Sequence, residues 1–313
     1  MRTVLRQFST LFLLFAHAAS CAVSAADLTN RSSQATGAVV IPFQYRRGHV
    51  LIPAGVAGTN SQPFILDTGY SMTMLPAGLG DTLQLRHNGH VTIVGIAGEE
   101  QASVFEGPLM NFTGLTWTSR RVGGFPRPEP GSNRNRWREG ILGSGFFRRF
   151  VVQIDQRAKT VSLENPESFS YSGDGGILPL RFKRGSNTPI VSASLNAASG
   201  HEVKGDLEVD TGCDSSLCLA SDFSEKNHLV PPDSRSSSRS GVGGGTRTRA
   251  SRLDSLDLGP MRIERPSAEF FVEGSPAAEG LAGHIGLEAF RDFNAIFDYS
   301  RQRLILERLP KRH

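Results

Sequence analysis

The chain has 313 residues, 20% of them charged and 38% hydrophobic, and its 34 Lys and Arg against 30 Asp and Glu leave a net charge of +4. That length predicts about two domains, and the composition excludes both a charge-rich disordered chain and a coiled coil, while 34 Gly and 17 Pro predict a turn-rich globular protein. A charge of +4 spread over this length is too mild to predict a nucleic acid or an anionic membrane surface as partner.

At the N-terminus Arg2 and Arg6 precede the apolar run 11–16, and Val23 and Ala25 are spaced as the small residues of a cleavage site. Residues 1–25 therefore predict a signal peptide, too short to span a bilayer, and a periplasmic or secreted protein. Ala18-Ala19-Ser20-Cys21 offers a second reading, lipoprotein acylation at Cys21, which the missing large aliphatic residue weakens. Residues 26–37 read as a short N-terminal linker. No later segment is long and apolar enough to predict a membrane span.

Residues 38–168 read as a first β unit. Phe64-Ile65-Leu66 is an apolar strand that delivers Asp67 into the turn Thr68-Gly69. Val91-Thr92-Ile93-Val94 alternates like a half-buried strand and runs into Gly95-Ile96-Ala97-Gly98, the tip of a hairpin. The polar stretch 126–139 reads as a surface loop with solvated Arg134, Arg136 and Arg138. Gly140-Ile141-Leu142-Gly143 is an apolar element closed by glycine; a short helix is predicted over 146–150, a turn-capping role for Asp155, and a last strand at Thr160-Val161-Ser162-Leu163.

Residues 169–176, rich in Ser and Gly, read as a linker between this unit and a second one over 177–313. There Leu207-Glu208-Val209 leads into Asp210-Thr211-Gly212. Cys213 and Cys218 are an even pair in an oxidising compartment, yet if residues 213–218 are extended their Cα atoms lie about 16 Å apart, more than a disulfide spans; the repeat described below, which matches Cys218 to an apolar position, makes two free thiols the expectation. The Ser- and Arg-rich stretch 231–252 reads as a surface excursion with solvated arginines, Arg235, Arg239, Arg247, Arg249 and Arg252. Within it Gly241 to Thr246 looks superficially like a phosphate loop but lacks the flanking strand and helix such a loop needs. Gly283-His284-Ile285-Gly286 follows, with His284 read as a packed histidine beside a core glycine, then a short helix over 288–293 and a second capping Asp298. No His or Cys spacing predicts a metal site, no Gly-x-Ser-x-Gly elbow predicts a serine hydrolase, and no cofactor is expected.

The two units are copies. Asp67-Thr68-Gly69 and Asp210-Thr211-Gly212 are related by an offset of 143 residues. The same offset relates Gly140-Ile141-Leu142-Gly143 to Gly283-His284-Ile285-Gly286, Phe147-Arg148 to Phe290-Arg291, Asp155 to Asp298 and Leu163-Glu164 to Leu306-Glu307. It also sets Cys218 opposite Leu75, an apolar position that suits a small buried side chain, and Gly241 opposite Gly98, a vestige of the first hairpin. A buried carboxylate is costly alone. Two of them meeting at a pseudo-twofold axis can share one proton, which supplies an acid and a base from one residue type and permits hydrolysis by an activated water. Gly69 and Gly212 are read as allowing positive φ and close approach, and Thr68 and Thr211 as braces to the opposite turn.

With these motifs the chain resembles the two-lobed aspartic peptidases, the pepsin-like and retropepsin-like families, over nearly all of 38–311. The resemblance implies an all-β, bilobal fold of two homologous barrel-like lobes around a cleft, and an endopeptidase acting on a peptide or unfolded protein as a monomer. It implies Asp67 and Asp210 as the catalytic pair, Thr68, Gly69, Thr211 and Gly212 in support, and Gly95, Ile96, Ala97 and Gly98 as the flap over substrate. The sequence departs from the family at Tyr70 and Cys213, where relatives carry a small hydroxyl residue or Ala, and the flap lacks the tyrosine of pepsins. The alternative is an inactive module of the same fold that holds a peptide or protein in its cleft.

Overall fold

In the computed structural model of the chain, residues 37–127 and 138–310 are described, apart from 183, 186, 198, 199, 278 and 279. The predicted signal peptide, Cys21, nearly all of the 26–37 linker, and Arg134 and Arg136 lie outside the described residues. The rest is almost entirely strand, arranged as two ten-stranded sheets and one six-stranded sheet.

The two large sheets repeat one another strand for strand. In the first the path runs from the hairpin His87–Gly95 and Gly98–Glu106 through Arg121–Gly124, Met74–Leu75, Gly140–Leu142, Gln62–Leu66 and His49–Val56. The second follows the same order through Arg235–Gly241, Gly244–Arg252, Ser267–Phe271, Leu217–Leu219, Gly283–Gly286, Glu202–Asp210 and Pro189–Asn196. Each Asp-bearing strand has a parallel partner in the glycine-closed element: Leu66 pairs with Leu142, and Asp210 with Gly286. Strands buried on both faces are continuously apolar rather than alternating, which is why Phe64, Leu66, Ile141 and Leu142 are all buried.

The six-stranded sheet joins the halves. Its central pair is Val151–Asp155 from the first half and Phe293–Asp298 from the second, antiparallel with Val152 opposite Phe297. Every residue of Phe293–Asp298 is buried. Above it Phe147 packs edge-on to Phe297 at 5.5 Å and stacks on Tyr299 at 5.6 Å, so one apolar core runs through both halves. Burying each such aromatic side chain contributes about 2–3 kcal/mol. The Ser/Gly-rich connection is itself anchored, with Phe169 packed on Val151, Ile296 and Ile305.

Short helices differ somewhat from expectation. Ser144–Arg149 is a helix, but the second predicted one is a single 3-10 turn, Leu287–Phe290, and Phe293 already belongs to a strand. Asp155 accepts from the N–H groups of Arg157 and Ala158 as a turn cap. Asp298 caps its turn too, and is also fully buried against Arg303 at 2.9 Å and Arg301 at 3.3 Å.

The largest departure is at 231–252. This stretch is no surface excursion but the hairpin Arg235–Gly241 and Gly244–Arg252, the full counterpart of His87–Gly95 and Gly98–Glu106. Alternating Ser and Arg hid it, because the period-2 pattern that marks a strand needs apolar residues on one face, and here Ser238, Arg239 and Ser240 line the cleft. The hairpins match tip for tip, Gly95 and Gly98 with Gly241 and Gly244. The equivalence of Gly98 with Gly241 is therefore corrected by three residues, and the vestige is a complete second hairpin.

Candidate active site

Both Asp-bearing strands end against each other at the pseudo-twofold axis. The Thr68 N–H donates to the Thr211 hydroxyl at 3.0 Å, and the Thr211 N–H to the Thr68 hydroxyl at 3.0 Å. Each hydroxyl in turn donates to the carbonyl just before the opposite aspartate, Thr68 to Val209 at 2.6 Å and Thr211 to Leu66 at 2.8 Å. Both threonines have zero exposure. Four hydrogen bonds thus tie the two turns together where no water competes.

The carboxyls meet just above. Asp67 and Asp210 hydrogen-bond to one another, and each accepts the N–H of its own turn glycine at 2.9 Å, Gly69 and Gly212 respectively. The reason for glycine is steric, not conformational: neither residue has a positive φ. A Cβ on Gly69 would lie 2.7 Å from the Asp210 carboxyl, and one on Gly212 only 2.3 Å from Asp67 Oδ2. Behind each turn the glycine-closed element supports it. Ser144 N–H donates to Tyr70 O at 2.8 Å and Leu287 N–H to Cys213 O at 3.0 Å, and a Cβ on Gly143 or Gly286 would strike those same turns at 2.4 and 2.1 Å.

The pair is electrostatically unequal. Burial and the neighbouring Asp210 charge push Asp67 well above the ordinary carboxylate range. Burial works the same way on Asp210, but the charge and hydrogen bond of His284 outweigh it and hold Asp210 low. His284 Nδ1 lies 2.9 Å from Asp210 Oδ2, and its Nε2 lies 3.8 Å from Glu208. Against its burial, Asp210 and Glu208 raise His284 to about 9.

Above the carboxyls is a cleft of about 760 Å³ roofed by the two hairpins. The tips touch: Ala97 N–H donates to Val242 O at 3.2 Å and Gly243 N–H to the Glu100 carboxylate at 3.3 Å. A Cβ on Gly95 would lie 2.2 Å from Val242, so that contact requires glycine. Gly95, Ile96, Ala97 and Gly98 therefore form half of a double roof, with Val242 and Gly243 as the other half.

The walls break the symmetry of the backbone. On the first-half side Tyr70, Met72, Met74, Val91 and Ile93 pack on buried Ala102, Phe125 and Ile141. By sheet register the second half sets Cys218 where Met74 stands, Arg239 where Ile93 stands and His284 where Ile141 stands. Arg239, read from sequence as solvated, is only 21% exposed and pairs with Asp214 at 2.7 Å and Glu269 at 3.8 Å. One wall is apolar and the other polar and charged.

The cysteines also depart from the extended-chain expectation. The turn after Asp210 brings Cys213 Sγ and Cys218 Sγ to 3.2 Å, although both thiols are free. Cys218 is buried, as an apolar counterpart predicts, but the register sets it opposite Met74 rather than Leu75, and Cys213 lines the cleft. Among the described residues no group of three His, Cys, Asp or Glu side chains is placed to hold a metal, and no helix is long and apolar enough to cross a membrane.

Sequence reading took His284 for a packed histidine and Arg239 for a solvated arginine, whereas both line the cleft. A signal for His284 was present in the repeat, since the internal copy carries Ile141 at that position; Arg239 had none, because the offset slips by three residues across the hairpins.

No protein-family model and no curated protein matches the chain. Among solved structures it is similar to the aspartic proteinase from Irpex lacteus, with a TM-score of 0.57 over 87% of this chain and 98% of that one, at 15% sequence identity. At that identity the likeness is one of fold, and the chain has the bilobal, all-β fold of the pepsin-like aspartic proteinases.

Proposed function

We propose that the protein is an aspartic endopeptidase. The observation that carries this reading is the hydrogen-bonded pair Asp67 and Asp210, one from each half, at the floor of a cleft roofed by two hairpins. Like charges this close do not both ionise readily, so the pair holds one proton between them. The ionised carboxylate takes a proton from water as the hydroxide adds to the peptide carbonyl, and the protonated carboxyl donates to the carbonyl oxygen. Collapse returns a proton to the leaving amine, and no covalent intermediate with the protein forms.

An extended peptide would lie between floor and roof, hydrogen-bonding to hairpin backbone as an added strand does. The wall of Tyr70, Met72, Met74 and Ile93 suits an apolar side chain on one side of the scissile bond. The wall of Glu208, Asp214 and Arg239 suits a hydrogen-bonding one on the other. Residues 1–25 support export, with the working protein in the periplasm or outside the cell; mass spectrometry of protein recovered from the culture should find a mature N-terminus near Ala26. The chain carries both carboxyls, so the site needs no second subunit.

The deciding experiment measures cleavage of an unfolded protein from pH 3 to 8 by the wild type, Asp67→Asn and Asp210→Asn. Wild-type cleavage that both substitutions abolish supports the reading. Cleavage by either variant at the wild-type rate sinks it, and binding of peptides without any cleavage favours the non-catalytic module instead.

A further inference from the structure

A symmetric aspartate pair does not specify which member keeps the proton. Among the differences between the two sides, one puts an ionisable group directly against a carboxyl. Behind Asp67 the repeat places Ile141, an apolar side chain in the cluster with Met74 and Phe125. Behind Asp210 it places His284, 8% exposed, on a strand that lies parallel to Glu202–Asp210. Both ring nitrogens of His284 face carboxylates, Nδ1 that of Asp210 and Nε2 that of Glu208. A neutral imidazole carries one donor and one acceptor, and its acceptor would then point at a carboxylate; an imidazolium donates from Nδ1 to Asp210 at 2.9 Å and turns a second N–H toward Glu208, at 3.8 Å a charge contact rather than a hydrogen bond. Glu208, itself 6% exposed, gives the ring a reason to stay charged where burial opposes it.

The geometry points to His284, backed by Glu208, as a positioning residue that holds Asp210 as the carboxylate and leaves the shared proton on Asp67. This deepens the peptidase reading and depends on it for its catalytic consequence: Asp210 is the base and Asp67 the acid. In that arrangement Asp210 accepts the proton of the attacking water, Asp67 gives its proton to the carbonyl oxygen, Asp210 then protonates the leaving amine, and Asp67 recovers its proton from the diol. His284 keeps its own proton throughout. It also supplies Asp210 Oδ2 with the hydrogen bond that a small hydroxyl residue at Cys213 would otherwise offer.

The other groups facing the pair do not compete for this role. From the first half these are Tyr70, which burial keeps protonated, and His49, which burial pushes toward neutrality. From the second half they are Cys213, held as a thiol by Cys218 and by burial, Cys218 opposite His284 in register, and Tyr299, which burial also keeps protonated. Arg239 spends its charge on Asp214 and Glu269.

Two measurements test the inference. The first needs no activity: nitrogen chemical shifts of histidine-labelled protein should show His284 as imidazolium from pH 5 to 8, and Asp210→Asn should bring its titration down into that range. A neutral His284 ring at pH 6 in the wild type overturns the proposal whether or not the protein cleaves peptides. The second is the pH profile of kcat/KM. Removing the positive neighbour makes Asp210 easier to protonate, so in His284→Ile, which installs the side chain of the other half, the acidic limb moves up by about 1–3 pH units. His284→Gln, which can still donate to Asp210 but carries no charge, should move it partway. Limbs that stay in place while the rate alone falls show a merely structural histidine and refute the assignment. If the wild type cleaves nothing, the peptidase reading fails, and the ring titration still decides whether His284 is held as imidazolium between Asp210 and Glu208.

Discussion

Replacing Thr68 by Val keeps the side-chain volume and removes one hydroxyl. That hydroxyl donates to Val209 O at 2.6 Å and accepts the Thr211 N–H at 3.0 Å, in a place where Thr68, Val209 and Thr211 all have zero exposure. The substitution leaves one backbone carbonyl and one backbone N–H buried without partners. Each such group costs about 1–3 kcal/mol, so Thr68→Val should lose about 2–6 kcal/mol. Thr68→Ser keeps both hydrogen bonds and gives up one methyl, about 1 kcal/mol. Urea unfolding followed by circular dichroism reads the difference. With a slope of about 1–3 kcal/mol per molar, the difference of about 1–5 kcal/mol should make the Val variant unfold about 0.3–5 M below the Ser variant. Thr211→Val should behave alike, since it strands Leu66 O and the Thr68 N–H in the same way. A Val variant as stable as the Ser variant would refute the claim that the crossed hydroxyls tie the halves together.

Gly212→Ala puts a methyl 2.3 Å from Asp67 Oδ2 and must part the carboxyls; kcat should fall about 100-fold or more while circular dichroism stays unchanged, a displacement near 1 Å sufficing for that loss. Asp298→Asn should destabilise the protein by about 3 kcal/mol at pH 7 by leaving Arg303 unpaired. Despite burial, hydrogen bonds from Ser300 and Arg303 hold Asp298 below its ordinary 3.8; its contribution is therefore present above that pH and lost as pH falls through the lower folded value. The gap between wild type and variant in denaturation curves should close in acid, and a gap independent of pH would contradict the ion pair. In the mature protein unfolded without reductant, titration should find two thiols, Cys213 and Cys218; finding none would mean that the 3.2 Å approach is closed to a disulfide in the native protein.

Much of the architecture was legible because duplication writes the same backbone requirement twice. An apolar strand ending in Asp-Thr-Gly, and an apolar element closed by Gly143 or Gly286, recur at one offset because each half must bury the same parallel strand pair and pass its turn over a glycine with no room for Cβ. Those demands are local in sequence, and so is the β class. The hairpin at 235–252 was illegible for the converse reason. Its Ser and Arg alternation carries no apolar face, and its strand pairing is dictated by partners such as Glu269 and Phe270 that are distant in the chain.

The amino-acid sequence by itself determined the two halves, their all-β character and the pair of aspartates, since each follows from residue type and spacing. Only the tertiary structure decided how alike the two sides of the site are. The backbone keeps its pseudo-symmetry because sheet hydrogen bonding is indifferent to side chains. The electrostatics do not, because a carboxyl's charge state answers to whatever stands within a few Å, and there the fold sets Ile141 on one side and His284 on the other.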